Sequence, residues 1–407
     1  MGGKESAVMT VQHKKESTAL AWFFALTYMV SYITRINFGA VIAEMVTETG
    51  IARSTLALSL TGSFITYGLG QIVSGLCGDR FSPKKLVAYG LSATTVLNAL
   101  IPVCVTPHQM LIVWSLNGFA QAFLWPPMVR LMTAQMTQEE YNRLVVRVSW
   151  GSSFGTILIY LISPILISIA GWRSVFLFSA ACGAAMVFIW LRCCKDAAPI
   201  QKERNSATAV RSGVLLSPLM LFVMVTIILQ GMLRDGVTTW MPSYIAQTYL
   251  LSNRTAILSG VILPLFAIAS LQFTSWLYRR YFCNPLLCAA VIFGIGTASS
   301  AALWLLSGNA AVLSVFCSAL LTGAMHGVNL IQTGMLPSYF RKYGNVATVS
   351  GVLNSCTYVG SAISTYGVAL LSETIGWNAT LLLWAAIDSA GTLLCLLCVN
   401  PWKKKFS

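Results

Sequence analysis

The sequence predicts an all-α membrane protein with twelve transmembrane helices arranged in two pseudo-symmetric six-helix halves. Composition gives the first indication, because apolar residues make up 56% of the 407 residues and charged residues only 9%. A soluble domain carries about 25% charged residues. Two further observations support the prediction: twelve apolar runs are long enough to cross a bilayer, and landmarks of the first half recur in the second half at a near-constant offset.

Each run has the length that a bilayer requires. A hydrocarbon core of about 30 Å needs about 20 apolar residues in a helix, and a backbone in lipid must satisfy its own hydrogen bonds. A β-barrel would need alternating segments of about ten residues, which the sequence lacks. The runs, named spans 1 to 12, cover 18–45, 55–78, 85–105, 109–134, 142–169, 172–194, 217–247, 255–278, 285–307, 311–337, 345–371 and 377–400.

Basic residues alternate between the two sides of the predicted membrane. One side holds only Arg53, Arg173 and Arg254, whereas the other basic residues outside the spans lie on the side of both termini. The positive-inside rule then predicts a multi-pass protein of the cell inner (plasma) membrane with cytoplasmic N- and C-termini. The net charge of +14 therefore reflects topology, and we expect contact with membrane lipids but no binding of nucleic acid.

The halves repeat around equivalent landmarks. Arg35 in span 1 and Arg234 in span 7 lie 199 positions apart, and Gly155 in span 5 and Gly360 in span 11 lie 205 apart. Duplicated halves around a midplane site are typical of secondary transporters. The predicted domains are a cytoplasmic tail 1–17, a six-helix bundle 18–194, a cytoplasmic linker 195–216, a second six-helix bundle 217–400 and a cytoplasmic tail 401–407.

Arg35 and Arg234 carry the predicted chemistry. An arginine at the centre of a membrane helix costs about 2.5–3.5 kcal/mol on insertion scales, so it faces a cavity or a partner. We expect Asp235 to project from a different helix face than Arg234, which leaves two uncompensated cations in a shared cavity. The guanidinium fork suits phosphate and carboxylate, so a small anionic solute is the predicted ligand. The alternative is that both arginines bond helix carbonyls and stabilise the fold.

The segment Gly75-Leu-Cys-Gly78-Asp79-Arg80-Phe-Ser-Pro83-Lys84-Lys85 follows span 2. It resembles the G-x-x-x-D-R-x-x-x-[RK]-[RK] loop signature of the major facilitator superfamily and implies its fold. We predict that Asp79 and Arg80 act in conformational gating. Asp79 can cap a helix end or pair with cytoplasmic arginines when the cytoplasmic side is closed.

Within that superfamily the chain resembles the organophosphate:phosphate antiporters. The residues that carry the resemblance are Arg35-Ile-Asn37-Phe38, Tyr67-Gly68, Asp79-Arg80 with Pro83, Trp125-Pro126-Pro127, Trp150, Arg234, Gly236, Trp240, Pro242, Tyr244, Tyr358 and Gly360. The resemblance implies that Arg35 and Arg234 hold a phosphoryl group. It implies a cavity lined by Tyr28, Tyr32, Tyr67, Trp125, Trp150 and Tyr358.

Some positions depart from the family's glycerol-3-phosphate transporter. That transporter has a lysine where this chain has Gln71 and a histidine where this chain has Phe154. It has tyrosines where this chain has Gly231 and Thr322. The absence of these two basic groups predicts a substrate whose organic part differs from glycerol, or an anion that carries less charge than glycerol-3-phosphate. We place Gln71 and Phe154 in the predicted substrate site, together with His326 of span 10.

The predicted function is a secondary active transporter that exchanges a phosphate ester for inorganic phosphate by alternating access, as a monomer. We expect no enzyme activity, catalytic residue, cofactor or metal site, since most of the eleven cysteines lie in or beside apolar runs and suit buried thiols. Two alternatives stay open. One is a carboxylate transporter coupled to protons through Asp388, and the other is a non-transporting sugar-phosphate sensor of the same fold.

Overall fold

A computed structural model describes residues 2–51, 53–196, 217–250, 262–343 and 345–406, and this part of the chain contains helices and no strand. The α-helices are α1 (Gly2–Thr49), α2 (Arg53–Arg80), α3 (Pro83–Leu100), α4 (Pro107–Gln121), α5 (Trp125–Gln135), α6 (Gln138–Ala170), α7 (Arg173–Cys193), α8 (Pro218–Tyr249), α9 (Ile262–Arg280), α10 (Pro285–Leu306), α11 (Ala311–Asn329), α12 (Val346–Thr374) and α13 (Trp377–Phe406).

The helices follow the predicted spans, and the predicted fold class is confirmed. Among the described residues, nine helical stretches are long and apolar enough to cross a membrane. The remaining spans 2, 4 and 8 lie on α2, on α4 with α5, and on α9. Residues 2–17 and 401–406 of the predicted tails are helical and belong to α1 and α13. Residues 1 and 407, residues 197–216 of the linker and residues 255–261 of span 8 lie outside the described residues.

Span 4 is not the single helix that its apolar run predicts. It is divided into α4 and α5 by a turn at residues 122–124. Pro126 and Pro127 open α5, and a proline has no N–H to donate to the carbonyl four residues earlier. The carbonyls of Ala122 and Phe123 therefore lose their helical donors, and the helix is interrupted there.

Span 10 is interrupted in the second half as well. The α-helix α11 ends at Asn329 and is followed by a π-helical turn, Leu330–Met335, and a 3₁₀ segment, Leu336–Tyr343. All six residues of the π-helical turn are buried. π-Helical turns of this kind are rare and occur frequently at functional sites. Spans 4 and 10, which are equivalent in the repeat, are thus both interrupted.

The chain forms two compact units. Unit 1 comprises Met1–Pro199 with Val346–Gly351, and unit 2 comprises Ile200–Asn345 with Val352–Ser407. The beginning of α12 thus belongs to the first unit, although its remainder belongs to the second. The limits predicted for the individual domains stay predictions.

A cluster of large aromatic side chains forms part of the core of unit 1. The Trp114 ring centroid lies 5.1 Å from that of Phe38 and 5.8 Å from that of Phe176. Trp172 packs edge-on against Phe176 at 5.9 Å. All four side chains are at most 1% exposed, and together they join α1, α4 and α7.

Glycines at equivalent positions of the two halves allow neighbouring helices to approach closely. In unit 1 a Cβ atom at Gly155 of α6 would collide with the carbonyl oxygen of Met29 in α1. In unit 2 a Cβ atom at Gly360 of α12 would collide with the carbonyl oxygen of Ile228 in α8. Met29 and Ile228 are separated by 199 positions, as Arg35 and Arg234 are, so the pseudo-symmetry extends to individual packing contacts.

Candidate functional site

The aromatic ring of Tyr67 supports the first predicted arginine. The guanidinium carbon of Arg35 lies 3.8 Å from the centroid of the Tyr67 ring and 5.5 Å from that of Tyr32. Tyr67 is only 2% exposed, and a cation on a desolvated ring face gains about 2 kcal/mol or more. The sequence-predicted residues Arg35, Tyr32 and Tyr67 therefore come together.

Buried amides hold α1 in place around Arg35. The Asn37 side-chain amide donates to Asn98 Oδ1 at 2.7 Å and to Ser179 Oγ at 3.0 Å. Asn98 donates in turn to the Thr34 carbonyl at 2.9 Å. All four side chains are fully buried. Because buried polar groups are costly unless they are paired, this network fixes α1 against α3 and α7 on both sides of Arg35.

The other predicted aromatic residues of unit 1 are not all equivalent. Tyr28 packs against Tyr32, with ring centroids 5.1 Å apart, and against Trp125 at 4.8 Å. Tyr28 and Trp125 therefore extend the aromatic surface that Tyr32 and Tyr67 form beside Arg35. Trp150 instead pairs with Trp22 at 6.3 Å. Phe154 is 42% exposed on α6.

Gln71 has a structural contact that the sequence does not suggest. Its side chain is fully buried, and its Nε2 donates to the Ala122 carbonyl at 3.4 Å. This carbonyl is one of the two that the prolines of α5 leave without a helical donor. The Gln71 amide thus stabilises the break between α4 and α5.

The second predicted arginine has an acidic partner, which contradicts the prediction of an uncompensated cation. Arg234 donates from Nε to Asp235 Oδ1 at 2.7 Å and from Nη2 to Asp235 Oδ2 at 2.8 Å. Ser361 of α12 donates to the same carboxylate. Adjacent positions on a helix point in different directions, but the long arginine stem folds back far enough to reach its neighbour. The prediction that Arg35 and Arg234 together leave two uncompensated positive charges is therefore wrong.

His326 accompanies this ion pair. It lies close enough to Arg234 and Asp235 for electrostatic interaction, and its Nδ1 is 2.9 Å from the Thr322 carbonyl oxygen. The neighbouring buried residue Gln230 links α8 to α11 through a 3.0 Å hydrogen bond from its Nε2 to the Met325 carbonyl. Tyr358 is partly buried on α12, three residues before Ser361. Unit 2 thus brings Arg234 and His326 together around Asp235.

Asp79 caps a helix that is distant in the sequence. Its Oδ1 accepts from the Ala347 amide at 3.0 Å and its Oδ2 accepts from the Thr348 amide at 2.7 Å. Both amides belong to the first turn of α12, where a helix has unsatisfied N–H groups and a partial positive charge. This contact lies within unit 1. Arg80, the next residue, is exposed.

Arg130 is a residue of this region whose role the sequence does not indicate. Its side chain is only 8% exposed, its Nη1 donates to the Gly78 carbonyl, and it lies within electrostatic range of Asp79. Arg130 therefore satisfies a carbonyl at the C-terminal end of α2 while supporting the negative charge of Asp79. Only its position inside an apolar run distinguishes it in the sequence.

Asp388 occupies the interior of unit 2. It is fully buried, and neither carboxylate oxygen has a hydrogen-bond partner among the described residues. A Cβ atom at Gly296 of α10 would lie 2.5 Å from Asp388 Oδ1 and 3.0 Å from Met325 Cε. The side chain thus fills the space that this glycine leaves between α10, α11 and α13.

Comparison with known proteins identifies the family. A family model of the Major Facilitator Superfamily matches residues 24–365, and the chain belongs to this superfamily of membrane transporters. The structure of the Escherichia coli fucose:proton symporter FucP superposes with a TM-score of 0.73, at 13% identity, over 94% of this chain and 99% of that one. This similarity concerns the fold.

Sequence relatives confirm the predicted resemblance to organophosphate carriers. The chain is 22% identical to the membrane sensor protein UhpC of Escherichia coli K12, over 92% of this chain and 90% of the relative. It is 23% identical to the glycerol-3-phosphate transporter of Bacillus subtilis, over 86% of this chain and 85% of the relative. A probable hexose phosphate transport protein of Chlamydia trachomatis is 27% identical over 40% of this chain and 36% of the relative.

Proposed function

We propose that this protein is a secondary transporter that carries a small phosphate ester and exchanges it for inorganic phosphate by alternating access. The observation that carries the proposal is the pair Arg35 and Arg234, which occupy equivalent positions in the two halves. A guanidinium matches the geometry of a phosphoryl group because it donates two parallel hydrogen bonds. The relatives named for glycerol-3-phosphate and hexose phosphate transport support this class of cargo.

In this proposal the aromatic rings prepare Arg35 for an anion. Tyr67 and Tyr32 stabilise the positive charge through their ring faces. The attraction between a cation and the ring quadrupole holds the guanidinium at this surface. Tyr28 and Trp125 continue this surface and are positioned to contact the organic part of the ester.

The charges near the arginines favour a weakly charged ester. The sequence resemblance predicts that Gln71 and Phe154 stand where the glycerol-3-phosphate transporter has basic groups, and Asp235 offsets the charge of Arg234. A site with less positive charge gains less from each negative charge on its ligand. We therefore propose an ester other than glycerol-3-phosphate, with Trp150, His326 and Tyr358 as further contacts.

We also propose how the chain is placed in the cell. The distribution of basic residues supports an inner-membrane protein with both termini in the cytoplasm, and the chain acts as a monomer. Lys403, Lys404 and Lys405 would contact anionic lipid headgroups there. Asp79 would then hold the first turn of α12 at the cytoplasmic end, and release of this cap would accompany the change between access states.

A membrane sensor is the second candidate. The observation that favours it is the alignment with UhpC, a named membrane sensor, over 92% of this chain. A sensor would bind the same anion through the same arginines. It would differ from a transporter only in failing to move the anion across a membrane.

Exchange of radiolabelled phosphate in proteoliposomes tests the proposal. We expect the purified protein to exchange external for internal phosphate, and we expect Arg35→Ala and Arg234→Ala to abolish exchange. Unlabelled phosphate esters added outside would then identify the cargo by competition. A well-folded parent that binds phosphate without exchanging it would support the sensor. A parent that neither binds nor exchanges phosphate would contradict the phosphate assignment and favour a carboxylate.

A further inference from the structure

We infer that Asp235 is a resident counter-ion of Arg234 that lets the empty carrier return across the membrane, so that this transporter performs net transport as well as exchange. The inference rests on the proposed function, because it concerns the same arginine. It names a residue that determines the mode of transport.

The geometry of the ion pair is that of a ligand complex. The two oxygens of Asp235 accept from Nε and Nη2 of Arg234 at 2.7 and 2.8 Å, the parallel arrangement that a guanidinium also forms with phosphate. The arginine side chain is only 14% exposed and the aspartate 32%. Asp235 therefore supplies to Arg234, from within the chain, the interaction that a bound phosphoryl group would supply.

The carboxylate is held in this position from a second helix. Ser361 of α12 donates its hydroxyl hydrogen to Asp235 and also lies 2.9 Å from the Thr357 carbonyl oxygen. The α12 helix approaches α8 closely at this level, because a Cβ atom at Gly236 would collide with Ser364 Oγ. The pair is thus part of a built site in which α8 and α12 both take part.

The acid belongs to one half only. In the repeat, Arg234 corresponds to Arg35, and the residue after Arg35 is Ile36. The ring faces of Tyr67 and Tyr32 accompany Arg35. The pairing of an arginine with the acid that directly follows it is therefore a feature of the second half.

The consequence for transport follows from electrostatics. A buried ion without a partner carries a desolvation cost of several kcal/mol, and movement of an empty carrier through a closed state would expose Arg234 to that cost. If Arg234 had no resident acid, the carrier would have to keep an anion bound to avoid this cost, which would restrict it to exchange. With Asp235 in place Arg234 is neutralised, while the ring faces of Tyr67 and Tyr32 stabilise the charge of Arg35, so the return step no longer requires phosphate.

The same pair opposes the substrate. A phosphoryl group that uses the Nε and Nη2 edge of Arg234 must displace Asp235, and one bound elsewhere on the guanidinium still meets a negative neighbour. Removing the charge of Asp235 should therefore strengthen phosphate binding by about tenfold, the equivalent of about 1.4 kcal/mol. It should slow the return of the empty carrier at the same time.

Two assays on one set of vesicles test the inference. Proteoliposomes are loaded with radiolabelled phosphate, with valinomycin and potassium present to dissipate the membrane potential. They are diluted either into phosphate, which measures exchange, or into phosphate-free buffer, which measures net efflux. For the parent protein we expect both exchange and net efflux. For Asp235→Asn we expect continued exchange with a lower KM, and a ratio of net efflux to exchange that falls by about tenfold.

Two further variants separate charge from structure. Asp235→Glu keeps the carboxylate and should restore net efflux. Ser361→Ala removes only the supporting hydroxyl and should lower the ratio of net efflux to exchange by about threefold, in line with the modest value of one hydrogen bond. Equal ratios in the parent and Asp235→Asn would overturn the inference, as would a parent that exchanges without net efflux. A parent without exchange would instead overturn the proposed function, and the inference with it.

Discussion

The guanidinium carbon of Arg35 lies 3.8 Å from the centroid of the buried Tyr67 ring. This contact joins Arg35 of α1, the residue predicted to bind the anion, to Tyr67 of α2. The electron-rich ring face stabilises the positive charge of this arginine inside a membrane domain.

Replacing Tyr67 tests this relationship. Tyr67→Leu removes the ring face and should raise the KM for phosphate by about twofold to thirtyfold, the range spanned by cation–π energies of about 0.5–2 kcal/mol. Tyr67→Phe retains the ring and should stay close to the parent. Both variants are compared by phosphate exchange in proteoliposomes. An equal effect of the two substitutions would mean that the hydroxyl group, rather than the ring, supports Arg35.

Asp79 should act on the rate of transport more than on binding. Asp79→Ala removes the acceptor for the Ala347 and Thr348 amides, a cap whose loss costs about 0.5–2 kcal/mol. We expect slower exchange and a nearly unchanged Kd for phosphate measured in detergent. Lys85→Ala changes an exposed charge nearby and is the control. A loss of binding in Asp79→Ala would place this residue in the substrate site instead.

Gly360 should be intolerant of a methyl group. Gly360→Ala would drive a Cβ atom into the Ile228 carbonyl oxygen between α12 and α8, and overpacking of this kind costs about 1–3 kcal/mol. We expect a lower melting temperature in detergent. The matched control is Gly294→Ala on α10, where a Cβ atom would meet nothing within 4 Å. A similar melting temperature for both variants would contradict the close approach of α8 and α12.

Asp388 should be dispensable for phosphate exchange. Its carboxylate fills space beside Gly296 and Met325, and Asn has nearly the same shape. We expect Asp388→Asn to exchange phosphate within about twofold of the parent, because a substitution that conserves shape and volume disturbs the packing little. The measurement is repeated with and without a pH gradient. A strong stimulation by the gradient in the parent that disappears in Asp388→Asn would instead favour the proton-coupled alternative.

The fold was predictable because lipid restricts what a backbone can do. A long apolar run in a membrane must be helical, so the spans followed from length and composition. The interruption before Trp125 was harder to recognise, since Pro126 and Pro127 lie within an otherwise continuous apolar run. The π-helical turn at Leu330–Met335 has no comparable marker, because its residues depend on packing rather than on a local signal.

The candidate site was predictable in its residue types and less so in its pairings. Arg35 and Arg234 are recognisable because a cation inside a membrane helix is energetically costly and therefore indicates a functional site. The pairing of Arg234 with Asp235 was missed, since helix geometry describes where Cβ atoms point and not how far a flexible arginine can bend. The contact of Asp79 with α12 joins residues 268 apart, and the sequence indicates a capping residue without indicating its helix.

The most direct test of the central claim is equilibrium binding of inorganic phosphate to the purified protein. Lysine keeps the charge of Arg35 and Arg234 but lacks the bidentate fork. We predict that Arg35→Lys and Arg234→Lys each weaken phosphate binding at least about tenfold, whereas Arg192→Lys, an exposed arginine beside Phe188, binds like the parent. Unchanged affinity in both Arg35→Lys and Arg234→Lys would contradict the proposal that these two arginines hold the phosphoryl group.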